Sequence, residues 1–399
     1  MQNKIKVLWL APYPISQVPG VKFSKSHNFH PATWIVNLGE ELSTNKEIEL
    51  HILTENPKIT EDQNIFYKNI WFHLVKSSVP FTNKGYPSFL PIHKLTYYYF
   101  NSYKINKKIK SIAPDIVHAH GTETSYAITA LRSKCKCIIS IQGIINEISK
   151  FDNHFSNKIQ SLIELKVIRL NKHFACRTDF DKSFVRENNS SAVVHHLDEA
   201  INKAFFDEGW ICDDKSNILF VGSVSKLKGI NILLEALAIC KQKISKIILN
   251  LIGSVNEDYY KTLEKFIINN GLNENVNFLG TQPTEVIRKE LNKAQIFVLP
   301  TLMDNSPNSL AEAMAVGTPS IASDVGGIPS MIENKFNGYL VKSNDPEALA
   351  EMMFYLLNNS SERKRISVNA KTTALNRNLP GNVANEAINI YKSILNDSR

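Results

Sequence analysis

The sequence predicts an α/β protein made of two halves of similar size, and three observations carry that expectation. The chain has 399 residues, which at roughly 150 residues per domain points to two or three domains. Short β-branched runs alternate with helical stretches along most of it, the pattern of a parallel sheet with crossover helices. Between two such series lies 198–215 (DEAINKAFFDEGWICDDK), which has no clear periodicity and reads as a linker.

In the first series the expected strands are 5–10 (IKVLWL), 48–53, 115–118, 137–141, 172–176 and 192–194. Helical patterns fall at about 32–43, 93–112, 123–132, 155–170 and 179–188. The second series gives strands at 217–222 (NILFVG), 247–252, 275–279, 296–299, 319–322 and 338–341. Its helices are expected near 229–243, 257–270, 284–293, 307–316, 345–358 and 361–375. Pro380-Gly381 then interrupts the chain before a last helix at about 382–396. The expected domains are 1–197 and 216–379, joined by the linker 198–215 and followed by a terminal helical segment, 380–399. Two α/β halves place a ligand cleft between them, at the carboxyl ends of the strands.

Composition narrows the function classes. Gly and Pro total 16 + 16 = 32, too few for a linker-rich or collagen-like chain. No run of about 18 apolar residues is present, so a spanning helix is not expected. Val7-Leu8-Trp9-Leu10 is too short for a signal-peptide core and reads as a buried first strand. Five cysteines, at 135, 137, 176, 212 and 240, make no disulfide framework, and Cys135-Lys136-Cys137 is too close for a zinc-type pair. A reducing cytoplasm fits that usage. Net charge is +8, with 26 basic against 19 acidic residues in 1–210 and 20 against 19 in 211–399. The first half would face an anionic partner such as a phospholipid surface, a polyprenyl phosphate or nucleic acid; solvated lysines are the plain alternative.

Two segments carry the chemistry. In 299–319 a strand ends, a polar loop follows, and a helix begins. Ser306 suits an N-cap and Pro307 a first helical position. The amides of Asn308 and Ser309 would then lack intrahelical partners and, with the helix dipole, form an anion site. Asp304 and Glu312 stand eight residues apart, and Glu312 could accept hydrogen bonds from a diol such as ribose. The plain alternative is an ordinary capped helix with a surface glutamate. In 220–230 (FVGSVSKLKGI) a buried strand enters a short loop and Gly229 opens a helix. Lys228 could aim its ammonium at a diphosphate beside free helix amides, with Lys226 as a second cation. Lys-Gly at a strand–helix junction is also common without function.

Together these segments resemble the retaining glycosyltransferases of family 4. The shared order is strand-Gly-loop-Lys-Gly-helix, then Asp304-x7-Glu312, Ala-Met-Ala-x-Gly-Thr-Pro-x-Ile-Ala-Ser and Val325-Gly326-Gly327-Ile328-Pro329. The match is dense over about 216–345. Ala175 to Asp181, which includes Arg177, resembles a further local pattern of the family; as a plain helix start, Thr178 would be its cap. The resemblance implies the GT-B fold, two Rossmann-like domains facing across a cleft with the C-terminal helix crossing back to the first. It also implies a nucleotide-sugar donor held mainly by the second domain and a glycan or lipid-linked acceptor on the side of the first. Lys228 would contact the diphosphate and Glu312 the ribose. Asp304, Ser306, Pro307, Asn308 and Ser309 would hold the donor sugar. Gly222, Ser223 and Lys226 would line the phosphate loop, with Gly253, Leu279 and Gly280 bordering the base. Gly20 would bring backbone close to the diphosphate. On the acceptor side stand His118, His120, Gln142, Gly143 and Arg177; a lone His is more often structural.

Three positions depart from the family. Ser223 stands where Arg is usual, Asp304 where Glu is usual, and Gln142 where His is frequent before Gly. Gln can hydrogen-bond a sugar hydroxyl but does not titrate near neutrality. The chain lacks an obvious Asp-x-Asp metal motif, so no metal is expected, and Lys228 with helix amides would neutralise the leaving diphosphate. No residue is a convincing covalent nucleophile, and the resemblance implies front-face substitution with retention. The stretch 91–110 is aromatic first and basic later; it is either a packed first-domain helix, the favoured reading, or one lying on an anionic membrane. Loops 16–30 and 76–91 would border the acceptor.

The leading function is thus hexosyl transfer in surface polysaccharide or lipopolysaccharide synthesis, in the cytoplasm or at the inner membrane face. The rival is a non-catalytic nucleotide-sugar or glycan-binding protein on the same scaffold. A dinucleotide oxidoreductase lacks its Gly-x-Gly-x-x-Gly after a strand, and nucleic-acid binding lacks a module. Donor, acceptor, linkage and oligomeric state are not legible.

Overall fold

The structure is a computed structural model describing residues 4–23, 33–77, 91–151, 154–207, 209–211, 217–244 and 246–397. The chain divides into two compact units, 1–200 with 380–399, and 201–379.

The first unit contains β1 (Ile5–Leu10), α1 (Thr33–Thr44), β2 (Ile48–Asn56), β3 (Gln63–Tyr67), β4 (Ile70–Lys76), α2 (Ile92–Leu95) and α3 (Tyr99–Ile112). It continues with β5 (Ile116–His120), α4 (Tyr126–Ser133), β6 (Cys137–Ser140), α5 (Ile145–Ile148), α6 (Phe155–Leu170), β7 (His173–Cys176), α7 (Asp179–Asn188) and β8 (Val193–His196). Among the described residues its sheet runs β3-β4-β2-β1-β5-β6-β7-β8, parallel except for the edge strand β3. Apart from that edge, the order is Rossmann-like, with β1 at the centre. Val7 to Leu10 are fully buried, as an unbroken apolar run demands of a parallel strand covered on both faces.

Two differences from the sequence expectations have local causes. The β3–β4 hairpin is additional to the expected elements. It turns through Lys68 and Asn69 at φ 49° and 60°, the two left-handed residues that suit strand twist. The helix expected at 93–112 is broken into α2 and α3, because Tyr97 and Tyr98 stand at φ 50° and 54°. Beyond the break, α3 buries Ser102, Ile105, Ile109 and Ile112, the helical spacing of a core-facing stripe.

The second unit contains α8 (Ala204–Asp207), β9 (Asn217–Val221), α9 (Ile230–Lys241), β10 (Ile248–Ile252), α10 (Glu257–Asn269), β11 (Val276–Gly280), α11 (Thr284–Lys293) and β12 (Ile296–Leu299). Then follow α12 (Asn308–Val316), β13 (Ser320–Ser323), β14 (Tyr339–Val341), α13 (Pro346–Asn358) and α14 (Ser360–Asn378). Its sheet runs β11-β10-β9-β12-β13-β14, and every pairing is parallel. This too is a Rossmann order, reversing direction between β9 and β12. Part of 198–215 packs here: Ile201 and Phe205 enter this unit's core, and Trp210 donates to the Ala294 carbonyl at 2.7 Å.

The chain ends in α15 (Pro380–Asn396), which belongs to the first unit. Its buried stripe is Val383, Ala384, Ala387, Ile388, Ile390, Tyr391 and Ile394. Each large apolar side chain so buried contributes roughly 1.5–3 kcal/mol before ordering costs. Lys136 Nζ closes the helix end, donating to the carbonyls of Ile394, Leu395 and Asp397 at 3.2, 2.6 and 2.9 Å. Among the described residues no helix is long and apolar enough to cross a membrane.

Candidate functional site

The order of the second sheet reverses between β9 and β12, and in sheets of this kind the crevice outside the strand ends at that point is the usual ligand site. Close backbone contact builds its walls. Gly222, at φ 152°, donates its amide to Ile252 O, and Gly253 donates to Gly280 O, both at 2.9 Å. A Cβ on Gly253 (φ 146°) would lie 1.7 Å from the Gly222 carbonyl oxygen. Gly222, Gly253 and Gly280 therefore end three adjacent strands side by side, with Leu279 half-buried beside them.

The loop after β9 is pinned against the loop after β12. Leu302 N and Thr301 Oγ1 both donate to Leu227 O, at 2.8 and 3.0 Å. Gly229, at φ 70°, passes so near Pro300 that a Cβ would meet its carbonyl oxygen at 1.9 Å. Lys228 is fixed between these contacts, and its Nζ forms an ion pair with Asp304 Oδ2. The two side chains are 23% and 18% exposed. Asp304 is held in turn from three directions. Its Oδ1 accepts from Asn305 N at 3.0 Å, its carbonyl accepts from Gly327 N at 3.0 Å, and Gly326 leaves no room for a Cβ against that carbonyl. Lysine and aspartate, 76 residues apart in sequence, thus meet at the crevice.

The helix start differs by one residue from expectation. Pro307, with ψ 118°, occupies the N-cap and Asn308 is the first helical residue, while Ser306 Oγ lies 3.8 Å from the Met331 sulfur. Proline's ring carries no hydrogen-bond acceptor, so no side-chain cap bond forms. The Leu310 and Ala311 amides bond back to Pro307 O at 3.1 and 3.2 Å; those of Asn308 and Ser309 precede that ladder, at the positive end of the dipole. Glu312 is half-buried in the second turn of α12. Ser223 and Lys226 are exposed in the loop after β9.

In the first unit the acceptor-side candidates are more occupied than the sequence suggests. His118 is a core residue. Its Nδ1 lies 2.7 Å from Tyr391 Oη, its Nε2 lies 2.7 Å from Ser140 Oγ, and burial pulls its pKa down to about 3. It ties β5 to β6 and to α15 and is fully buried. His120 stacks on it at 4.1 Å, and burial lowers its pKa as well. Arg177 is buried in an ion pair with Glu199 at 2.5 Å. Gly20 is exposed at φ 81°, and a Cβ there would meet nothing within 4 Å. Of the loops expected to border an acceptor, 24–30 and 78–90 lie outside the described residues.

Sequence reading misses two carboxyls here. Glu123 Oε1 accepts from Gly143 N at 2.8 Å, and Gly121 (φ 88°) leaves space for the other oxygen, which would lie 2.0 Å from a Cβ there. Gln142 and Gly143 are both half-buried beside it. Burial raises the Glu123 pKa, partly offset by backbone amides and Arg177. Glu164 accepts from Thr122 Oγ1 at 2.6 Å and from the Ile145 and Asn146 amides at 3.1 and 2.8 Å; burial pushes its pKa up to about 7. The signal is the polar run Gly121-Thr122-Glu123 directly after a buried strand. One Asp-x-Asp also occurs, Asp179-Phe180-Asp181. Asp181 closes a capping box with Thr178 and accepts from the Arg177 and Lys182 amides, each at 2.9 Å. Its carboxylate is engaged in starting α7.

Comparison with known proteins supplies the family. The profile described as "Glycosyl transferases group 1" matches residues 201–373, and "Glycosyl transferase 4-like" matches 23–172. The uncharacterized glycosyltransferase MJ1178 of Methanocaldococcus jannaschii is 29% identical over 331 residues, covering 82% of this chain and 85% of its own. The amylovoran biosynthesis glycosyltransferase AmsK of Erwinia amylovora is 35% identical over 145 residues, 35% of each chain. Anabaena Alr3699/HepE, solved in complex with UDP and glucose, superposes with a TM-score of 0.72 at 15% identity, covering 98% of this chain and all of that one.

Proposed function

This chain belongs to the group 1 glycosyl transferases and has their GT-B fold, and from that premise we propose that it moves a hexose-type sugar, with retention, from a nucleotide-sugar donor to a glycan or lipid-linked acceptor. The Lys228–Asp304 pair at the sheet's reversal point is the observation that carries the reading. It sets one cation and one carboxylate beside a helix N-terminus, which is what a departing diphosphate and a sugar hydroxyl each require.

In this reading Lys228 and the amides at Asn308 and Ser309 take the diphosphate, with Ser223 and Lys226 at the mouth of the same loop. Asp304, Ser306 and Pro307 border the sugar, and Glu312 accepts from the ribose hydroxyls. Gly222, Gly253, Leu279 and Gly280 offer backbone to the base. The bond from the anomeric carbon to phosphate oxygen breaks as the acceptor oxygen bonds on the same face, and the departing phosphate oxygen takes the acceptor proton. Neutralising the leaving group is assigned to Lys228 and the helix amides, each worth about 2–4 kcal/mol in the transition state, and no metal is part of the proposal. The complex of the Anabaena neighbour with UDP makes UDP the first nucleotide to test, and the amylovoran relative supports a role in surface polysaccharide synthesis. We place the reaction at the inner face of a membrane, toward which the first half's excess of 26 basic over 19 acidic residues would be drawn.

Release of nucleoside diphosphate from a panel of nucleotide sugars, with and without acceptor, tests the proposal. Lys228→Ala and Glu312→Ala should each slow acceptor-dependent release at least tenfold with an unchanged melting temperature. Wild-type turnover in both variants would overturn the site. Donor binding without any release would support a non-catalytic binder instead.

A further inference from the structure

We propose that α2, α3 and α6 of the first unit form a docking face for a bilayer of anionic phospholipid. The inference deepens the placement at the membrane given above, but it stands on different residues from the donor site.

Helix α3 turns its core stripe inward and leaves an opposite stripe in solvent. Tyr99 and Tyr103 on that stripe are 60% and 70% exposed, and Lys107 and Lys110 continue it by one and two turns. Helix α6 repeats the pattern. Phe155 and Leu162 are 63% and 59% exposed, with Lys158, Lys166 and Arg169 interleaved on the same side. The two helices are joined through α2 and the turn that follows it. Lys94 Nζ donates to Ser156 Oγ at 2.9 Å, Tyr98 Oη donates to Gln160 Oε1 at 2.7 Å, and Lys166 Nζ stands 4.8 Å over the Tyr97 ring. The sequence offers only residues 91–110 for this role; the contribution of α6 is visible only once the helices are packed.

Charge selects the occupant. No residue from Pro91 to Ile112 is acidic. The one carboxylate of α6, Glu164, is fully buried and turned toward Thr122 and the Ile145 and Asn146 amides. The large side chains that these helices expose are therefore apolar, ammonium or guanidinium groups, and the exposed carboxylate that a neighbouring segment brings to α3, Asp62, is paired with Lys104 at 2.8 Å. Exposed apolar side chains clustered in this way mark an interaction surface. A two-fold pairing with a second copy would set the same cations against one another. A sheet of lipid phosphates meets the lysines while the rings settle at the headgroup boundary.

The test is co-sedimentation with sucrose-loaded vesicles, either phosphatidylcholine alone or mixed with an equal share of phosphatidylglycerol, at low and high salt. Wild type should sediment with the mixed vesicles, release at high salt, and ignore pure phosphatidylcholine. Lys107→Gln, Lys110→Gln and Lys158→Gln combined should lower partitioning on the order of a hundredfold. Tyr99→Ser, Tyr103→Ser and Phe155→Ser combined should lower it at least tenfold. All six positions are exposed, and an unchanged melting temperature and UDP response would show that each variant is folded with its donor site intact. Wild type that binds UDP but leaves the mixed vesicles unbound would overturn the proposal, as would triple variants that bind them like wild type. So would light scattering that shows a dimer abolished by the aromatic substitutions.

Discussion

Asp304→Asn should tighten binding of a bare nucleoside diphosphate while slowing sugar transfer. In the free protein the Lys228 ammonium is already engaged by the Asp304 carboxylate, so an incoming diphosphate must draw it away and also approach a negative charge. Two unit charges at about 4 Å interact by about 4 kcal/mol at an effective dielectric constant near 20. The side chains are 23% and 18% exposed, and the Asn305 amide already satisfies one carboxylate oxygen. We therefore discount the benefit of removing the charge to about 1–2 kcal/mol, or roughly 5–30-fold in Kd. Asparagine keeps the shape and can still accept from the Asn305 amide. Isothermal titration calorimetry with UDP at fixed salt reads the affinity, and nucleotide release in the presence of acceptor reads transfer. Lys228→Met is the control, losing a charge-assisted hydrogen bond worth about 1.5–3 kcal/mol, or roughly 10–150-fold. In the double variant the gain from Asp304→Asn should shrink, because the freed cation is gone. If Asp304→Asn alone binds UDP no more tightly than wild type, Asp304 is not a competitor for the lysine and the reasoning fails.

Two further outcomes follow from geometry away from that pair. Gly253→Ala must place a methyl 1.7 Å from the Gly222 carbonyl oxygen at φ 146°. It should cost about 2–5 kcal/mol and lower the melting temperature by roughly 5–15 °C, whereas Gly20→Ala, obstructed only by its φ of 81°, should cost about 1 kcal/mol; equal melting temperatures would refute the contact. Glu164 has a folded-state pKa of about 7 against an ordinary 4.5, so the folded state holds a proton that the unfolded state releases. Its contribution, on the order of 3 kcal/mol, is complete below about pH 4.5 and lost as pH rises through 7. Glu164→Gln should therefore flatten the fall in melting temperature between pH 5 and 8, though Glu55 and Glu123 are shifted in the same direction and keep some slope. Identical slopes in variant and wild type would remove Glu164 from the account.

Much of this architecture is legible in the sequence because its causes are local. An apolar run such as Val7 to Leu10 has no stable place except the middle of a doubly covered sheet. The hairpin after β2 escapes notice for an equally local reason. Gln63 to Tyr67 form an edge strand, half-buried to exposed along its length, and Lys68-Asn69 parts the apolar runs Ile65-Phe66-Tyr67 and Ile70-Trp71-Phe72 with no glycine or proline to mark a turn. The break at Tyr97-Tyr98 carries no glycine or proline to announce it. Side chains after strands are the least readable. His118 and His120 differ by two positions on one strand and share a face, yet nothing nearby in sequence says that Tyr391, 273 residues away, will claim the first of them.

The donor site shows why its residues could be named but not assembled. At three points around Lys228 and Asp304 a methyl would collide with a backbone carbonyl: Gly229 with Pro300, Gly253 with Gly222, and Gly326 with Asp304. Each glycine brings two segments distant in sequence within a distance that no side chain permits. Together they draw the loops after β9, β10, β12 and β13 to one end of the sheet. In sequence each of these glycines has an ordinary turn explanation, and only as a set do they specify a place where four loops touch. The ion pair is the product of that convergence, since the backbone bonds from Leu302 N and Thr301 Oγ1 to Leu227 O hold Lys228 and Asp304 near each other before any charge acts. Substituting the ion pair should therefore leave the loops in place, whereas substituting the glycines should move both charges at once. That asymmetry separates residues that act on a ligand from residues that build the site.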